Sequence, residues 1–195
     1  DNVVDNPTCD DGGNTPCSSG IVLLFYCYTH VPNPKDLARW LEVVCNNLDL
    51  VGKVRIATEG INATLSGTAK ATACFATQLL QHPLFCAVMT PHDVKRSIGP
   101  SRAVDNLSIR VVEEIITLGV APALLPASAA ARHICPAEFH RRISHVQHHI
   151  SMGGTSDTIL LDVRNFFEHR IGRFVGAVTP DVRKFSYFTE YFDAH

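Results

Sequence analysis

Near the C-terminus two groups of opposite charge stand one residue apart. Asp162 and Arg164 stand at the end of the strand-like run that begins at Ile159. A carboxylate and a guanidinium leaving the end of a strand lie where open α/β sheets build their sites. The candidate nucleophiles are seven cysteines, Cys9, Cys17, Cys27, Cys45, Cys74, Cys86 and Cys135. A thiol attacks as its thiolate, which backbone N–H groups and arginine favour by lowering its pKa. None of the seven follows Arg164, and no CxxC occurs. Cys27, Cys45 and Cys74 fall within apolar strand or helix patterns, where a free cysteine packs as a small hydrophobe. An odd count without close pairs points to free thiols in a reducing compartment, and so to a cytoplasmic protein.

Two further groups of side chains invite chemistry. His140, His145, His148 and His149 fall on one predicted helix, and the i, i+4 pair His145 and His149 has a spacing that can chelate zinc. No cysteine or carboxylate is suitably placed beside them, so a solvated helix face is expected, with no metal and no cofactor. The other group is basic. Residues 51–112 hold seven Lys/Arg against three Asp/Glu, whereas residues 1–50 hold two against seven, and the whole chain has a net charge of −2. Lys53, Arg55, Lys95, Arg96, Arg102 and Arg110 supply that local excess and are the candidates for contacting RNA phosphates. Lys53 and Arg55, two apart on a strand, share a face. A merely solvated row of charges is the competing reading.

The elements that must hold these groups follow from the periodicities. Residues 1–19, rich in Asp, Asn, Gly and Pro, read as a loose arm. Ile21–Tyr28 reads as a strand. Pro34 opens a helix with Leu37, Trp40, Leu41, Val44 and Leu48 on one stripe. Val51–Ala57 and Asn62–Leu65 are strands joined by the turn Glu59-Gly60-Ile61. A second helix runs from about Lys70 to Gln81, ahead of Pro83. Cys86–Thr90 reads as a fourth strand and Leu107–Ile116 as a later one. This β-α-β-β-α-β order is that of ferredoxin-like, acylphosphatase-like domains, here over residues 20–116. An acylphosphatase activity is not expected. The loop Thr29–Lys35 has two prolines and neither the arginine nor the glycines that would cradle an anion.

Residues 117–134 read as a linker, broken by Gly119, Pro122 and Pro126. From Pro136 a helix puts Phe139, Ile143, Val146 and Ile150 on one face. Thr158–Val163 reads as a buried strand, and Asn165 with Glu168 as the capped start of a short helix. A last helix is expected from Pro180 and Asp181, with Phe185, Phe188 and Phe192 on one face. No apolar run approaches the ~18–20 residues that would cross a membrane, and no targeting leader is expected.

Ile159–Pro180, ILLDVRNFFEHRIGRFVGAVTP, resembles the first half of a rhodanese domain, with Asp162, Arg164, Glu168 and Gly176 as its signature residues. Lys53–Gly67, KVRIATEGINATLSG, Ile109–Gly119, IRVVEEIITLG, and Cys135–Phe139, CPAEF, resemble three motifs of the tRNA uridine hydroxylases. Those are rhodanese-like proteins with an acylphosphatase-like N-terminal domain. The four pieces stand in family order across residues 20–195. The resemblance implies an α/β protein in which residues 135–195 form the N-terminal part of a rhodanese-like domain. It also implies a role in oxygen-dependent formation of 5-hydroxyuridine at the wobble position of tRNA, through a cysteine on the rhodanese loop. That cysteine is expected beyond His195, so this chain alone should be inactive, with Asp162 and Arg164 shaping the site from below. A thiosulfate sulfurtransferase and a catalytically inactive interaction module are the alternatives for the parent protein. The expected partner is tRNA. The incomplete half exposes an apolar strand that a neighbouring copy, the N-terminal domain or further residues would cover.

Overall fold

The computed structural model describes residues 19–120, 124, 129–154, 156 and 158–194. The expected arm up to residue 18, with Cys9 and Cys17, lies outside the described residues, as do 121–123 and 125–128 of the expected linker. The chain divides into two compact units, residues 1–115 and 116–195.

The first unit is a mixed α/β fold of the ferredoxin-like type. Its elements are β1 (Ser19–Tyr28), α1 (Pro34–Asn47), β2 (Val51–Ala57), β3 (Gly60–Gly67), α2 (Ala69–Gln81), β4 (Lys95–Pro100) and β5 (Leu107–Val111). The sheet runs β4-β1-β3-β2-β5, with β5 parallel to β2 and the other neighbours antiparallel. Strict alternation decides which side of the sheet is buried. Leu23, Phe25 and Cys27 of β1, Val54 and Ile56 of β2, and Ile61, Ala63 and Leu65 of β3 enter one core. Leu37, Leu41 and Val44 of α1 and Phe75, Ala76 and Leu79 of α2 join it, so both helices cover the same face. Phe25 and Phe75 meet across that layer at 5.9 Å between ring centroids.

The helices start where the sequence supplies caps. Asn33 Oδ1 accepts from the N–H groups of Lys35 and Asp36, and Thr68 Oγ1 accepts from that of Ala71. The stripe expected on α1 is present, with Trp40 half-buried and its ring 4.5 Å from that of His82. One strand is misplaced by the sequence reading. Residues 86–90 do not form a strand. Val88 and Met89 donate to the Phe85 carbonyl, and Phe85 and Cys86 to that of His82. These local turns bury Phe85 completely. The fourth strand is instead Lys95–Pro100, whose glycine, proline and two cations hid it.

The turn between β2 and β3 has two tasks. Gly60 has φ of +150°, and a Cβ there would lie 2.0 Å from the Cys27 carbonyl oxygen, so only glycine lets β3 come this close to β1. On either side of it, Glu59 and Asn62 hold the chain that continues from β5. Glu59 Oε1 accepts the Ile115 N–H at 2.8 Å, and Asn62 Nδ2 donates to the Ile115 carbonyl at 3.3 Å. Ile115 is fully buried beneath them.

The second unit contains α3 (Pro136–Ser151), α4 (Phe166–Ile171) and α5 (Phe188–Ala194), with a short 3-10 turn at Phe185–Tyr187. The strand expected over Thr158–Val163 is reduced to one isolated parallel bridge, Leu161 with Val178. Ile159 is 72% exposed rather than buried. A parallel strand needs cover on both faces and partners at both edges, and among the described residues it pairs only with the stretch around Val178. The last helix begins at Phe188 and not at Pro180. Val182 N–H donates to the Pro180 carbonyl, and Phe166 N–H to that of Val182, which holds this stretch out of a helix. The expected phenylalanine face is nonetheless present, with Phe188 5.7 Å from Phe185 and 5.9 Å from Phe192. No residue of α3 is fully buried. Its Phe139, Ile143, Val146 and Ile150 line an apolar pocket of about 200 Å³.

Replacing Glu59 by alanine leaves the buried Ile115 N–H without its charged acceptor. The expected cost to the first unit is about 1.5–3 kcal/mol. Urea unfolding should record that loss, and native-state hydrogen exchange should show the Ile115 amide exchanging early. An unchanged midpoint with a protected Ile115 amide would remove the clamp from the account of stability.

Candidate functional site

In the second unit Asp162 and Arg164 bind each other. The Arg164 backbone N–H and Nε donate to Asp162 Oδ1 at 3.1 and 3.0 Å, and Nη2 donates to Oδ2 at 2.7 Å. The same Nη2 also donates to the Gly172 carbonyl at 2.7 Å, closing the loop from the end of the bridge strand to the C-terminus of α4. The Asp162 side chain is 10% exposed. The Arg164 guanidinium holds its carboxyl down from the usual 3.8 to about 2. A carboxylate this acidic is a poor proton acceptor at neutral pH, so the pair positions the strand end rather than moving protons. Asn165 caps α4, its Oδ1 accepting from Phe167 and Glu168 N–H and its Nδ2 donating to the Glu168 carboxylate. Of the four signature residues, three therefore set the geometry of one strand-turn-helix. Gly176, at φ +80°, turns the chain where a Cβ would meet nothing.

A cleft of about 570 Å³ opens beside the pair, lined by Asp162, Arg164, Gly172, Arg173, Phe174 and Phe139 among others. His169, on α4, was not singled out by the sequence. It is only 7% exposed, and its Nδ1 is the one buried side-chain polar atom among the described residues without a hydrogen-bond partner. A lone histidine in a short helix carries no pattern that would have found it. His145 and His149 stack with centroids 6.2 Å apart. Among the described residues no three His, Cys, Asp or Glu gather as metal ligands.

In the first unit the basic candidates separate. The sheet face away from the helices carries Lys53 and Arg55 on β2, Lys95 on β4 and Arg110 on β5, all exposed. Arg96, in register with Leu23, belongs to the other face. Arg102 lies outside the strands and is engaged, by Asp49 at 3.2 Å and the Asp105 carbonyl at 3.1 Å. Six candidates thus resolve into a group of four, one opposite and one tied to a carboxylate. The loop before α1 has several of its donors committed. Thr29 and Val31 N–H groups donate to the Glu59 and Thr58 carbonyls, and Asn33 serves as the cap.

Among the described residues no helix is long and apolar enough to cross a membrane. Cys27, Cys45, Cys74, Cys86 and Cys135 are free, and burial pushes the Cys45 thiol up to about 12, which makes it inert.

Against known proteins, residues 20–115 match the family model described as the UPF0176 acylphosphatase-like domain. A rhodanese-like domain-containing protein 6 of Arabidopsis thaliana is 35% identical over 176 residues, covering 85% of this chain and 30% of that protein. A tRNA uridine(34) hydroxylase of Cytophaga hutchinsonii is 32% identical over 169 residues, covering 87% of this chain and 49% of that one. Another, of Bacillus mycoides, is 29% identical over 164 residues, with coverage of 84% and 47%. The chain spans half or less of the length of these curated relatives.

The Asp162–Arg164 pair predicts an acid transition. Because the carboxyl titrates lower in the folded state than its ordinary 3.8, its stabilising effect is complete above pH 3.8 and is lost as the pH falls towards about 2. Asp162→Asn should remove that part of the pH dependence of the second unit's stability, read by acid titration of its unfolding. An identical acid profile in the variant would show that the pair contributes nothing to it.

Proposed function

We propose that the chain, whose residues 20–115 match the UPF0176 acylphosphatase-like domain and which is similar to tRNA uridine(34) hydroxylases along both units, is part of a tRNA-modifying enzyme. Its reaction is hydroxylation of the uridine at position 34, giving 5-hydroxyuridine. The catalytic cysteine is one outside this chain, on the loop of the completed rhodanese fold. One observation carries the reading. The alignments with the two hydroxylases run through both units, covering 84% and 87% of the chain, and not through the N-terminal domain alone.

The residues present have roles to fit. Asp162 and Arg164 fix the strand end and the loop to Gly172, and so orient the floor on which the active loop would rest. Asn165 and Glu168 fix the helix that follows. The first unit supplies cations to tRNA phosphates. No cysteine follows Arg164 in the sequence given. Free thiols at all five described cysteines support a reducing, cytoplasmic setting. The apolar side chains exposed on the second unit, Ile159, Ile171 and Val175 among them, support association through that unit.

The test is genetic and chemical. The longer protein containing this chain is expressed in cells that lack their own tRNA uridine(34) hydroxylase, and tRNA nucleosides are analysed by mass spectrometry. 5-Hydroxyuridine should return with the longer protein and not with this chain alone. Arg164→Ala should cut its yield about 10- to 100-fold, as expected for misplacement of catalytic groups by about an ångström. No 5-hydroxyuridine from the longer protein, with thiocyanate formed from thiosulfate and cyanide, would replace the hydroxylase reading by the sulfurtransferase one.

A further inference from the structure

The sheet face turned away from the helices carries more than cations. Tyr26 and Tyr28, two apart on β1, both project from it, with ring centroids 6.3 Å apart and planes at 74°. Tyr26 is 61% exposed, and Leu24 beside it is exposed as well. Leu24, Tyr26 and Tyr28 thus form a run of partly exposed apolar and aromatic groups on this side of β1. In register, one row across the sheet reads Lys95, Leu24, Thr64, Lys53, Ser108, and the next reads Tyr26, Asn62, Arg55, Arg110. At about 4.8 Å between strands, Arg55 stands roughly 10 Å from Tyr26, with Asn62 between them.

Arg55 and Arg110 are direct neighbours on β2 and β5. Like charges opposed on adjacent strands destabilise a sheet. Among the described residues neither arginine, nor Lys53, forms an ion pair. The arrangement costs the fold something that a bound anion would offset. The face has a polarity too. Glu59 and Glu114 lie towards Tyr28 and, after burial, raise its phenol pKa. The anionic backbone of a ligand is thus directed to the Lys53, Arg55 and Arg110 side.

We propose that this open sheet face binds an unpaired stretch of RNA, with bases stacking on Tyr26 and Tyr28 and phosphates held by Lys53, Arg55 and Arg110. Aromatic rings on an open four-stranded sheet are a recurring way to hold unstacked bases, with arginine and lysine tracking the backbone. Here the rings stand on β1, while β3 offers Thr64 for polar contacts, the Asn62 amide being engaged by the Ile115 carbonyl. The inference rests on the tRNA reading for the origin of the RNA, since position 34 lies in a single-stranded loop. It differs from that reading in what it claims, which is a surface and a mode of binding.

The experiment uses the whole chain and a fluorescently labelled, mixed-sequence single-stranded RNA of ten nucleotides, followed by anisotropy. The same sequence as a duplex is the comparison. The single strand should bind more tightly than the duplex. Tyr26→Leu, which keeps an apolar side chain but removes the ring, should weaken single-strand binding roughly 5- to 150-fold, the loss expected for one stacked base. Tyr26→Phe should bind as the parent does. Arg55→Glu with Arg110→Glu should flatten the slope of log affinity against log salt by about 1.4 units for two single-strand phosphate contacts, without loss of thermal stability. Undetectable binding at low salt, equal binding of duplex and single strand, or an unchanged affinity in Tyr26→Leu would each overturn the proposal. The two readings fail separately. If the longer protein restores 5-hydroxyuridine while Tyr26→Leu binds unchanged, the platform falls and the enzyme stands. If stacking is seen and 5-hydroxyuridine is not, the reverse holds.

Discussion

The first unit depends on a clamp at one end of its sheet. Glu59 and Asn62 hold the backbone of Ile115 from both sides, the carboxylate taking its N–H and the amide giving to its carbonyl. The clamp fixes the chain just past β5, and Val112 N–H donating to the Ile56 carbonyl carries the parallel pairing of β5 with β2 up to it. That pairing in turn sets Arg110 beside Arg55. Gly60 makes the clamp possible, because no larger residue fits against the Cys27 carbonyl where the turn must pass. The Glu-Gly-Ile-Asn run is therefore an architectural device before it is anything else. Its effect on function is exerted through the face it helps to assemble.

The two units are stabilised differently. The first buries both helices and the inner side of its sheet in one continuous core. The second buries few of its described residues, namely His169, Pro180, Val182 and Phe188, and leaves Ile159, Ile171 and Val175 in solvent. Its local order comes instead from polar geometry. Arg164 ties Asp162 to Gly172, Asn165 caps α4, and Gln147 donates to the Val175 carbonyl at 2.9 Å. Exposed ion pairs and caps each contribute little to stability, with caps worth about 1 kcal/mol. They specify a local shape more than they hold one closed.

Much of this was legible in the residues. The stripe from Leu37 to Val44, the cap at Asn165, and the strands read at β1, β2 and β3 are local signals, and each produced the element it indicated. The failures have physical causes. Cys86–Thr90 has strand-like residues, yet burial of Phe85 drew the segment into turns. Lys95–Pro100 has poor strand residues, yet β1 offered it a free edge. Thr158–Val163 has the composition of a buried strand but only one short stretch to pair with.

By itself the sequence determined the kind of protein: two units, a ferredoxin-like sheet in the first, and an Asp-x-Arg turn leading into a capped helix in the second. Spacing and caps act within a few residues, so they survive without knowledge of the rest of the chain. Only the tertiary structure decided which charges keep company. It bound Arg102 to Asp49, brought Arg110 to Arg55, and buried His169. It also set Tyr26 and Tyr28 on the same open face as the cations. Strand order and register bring together residues that lie about 30 to 55 positions apart, and no periodicity along a single strand can encode that choice.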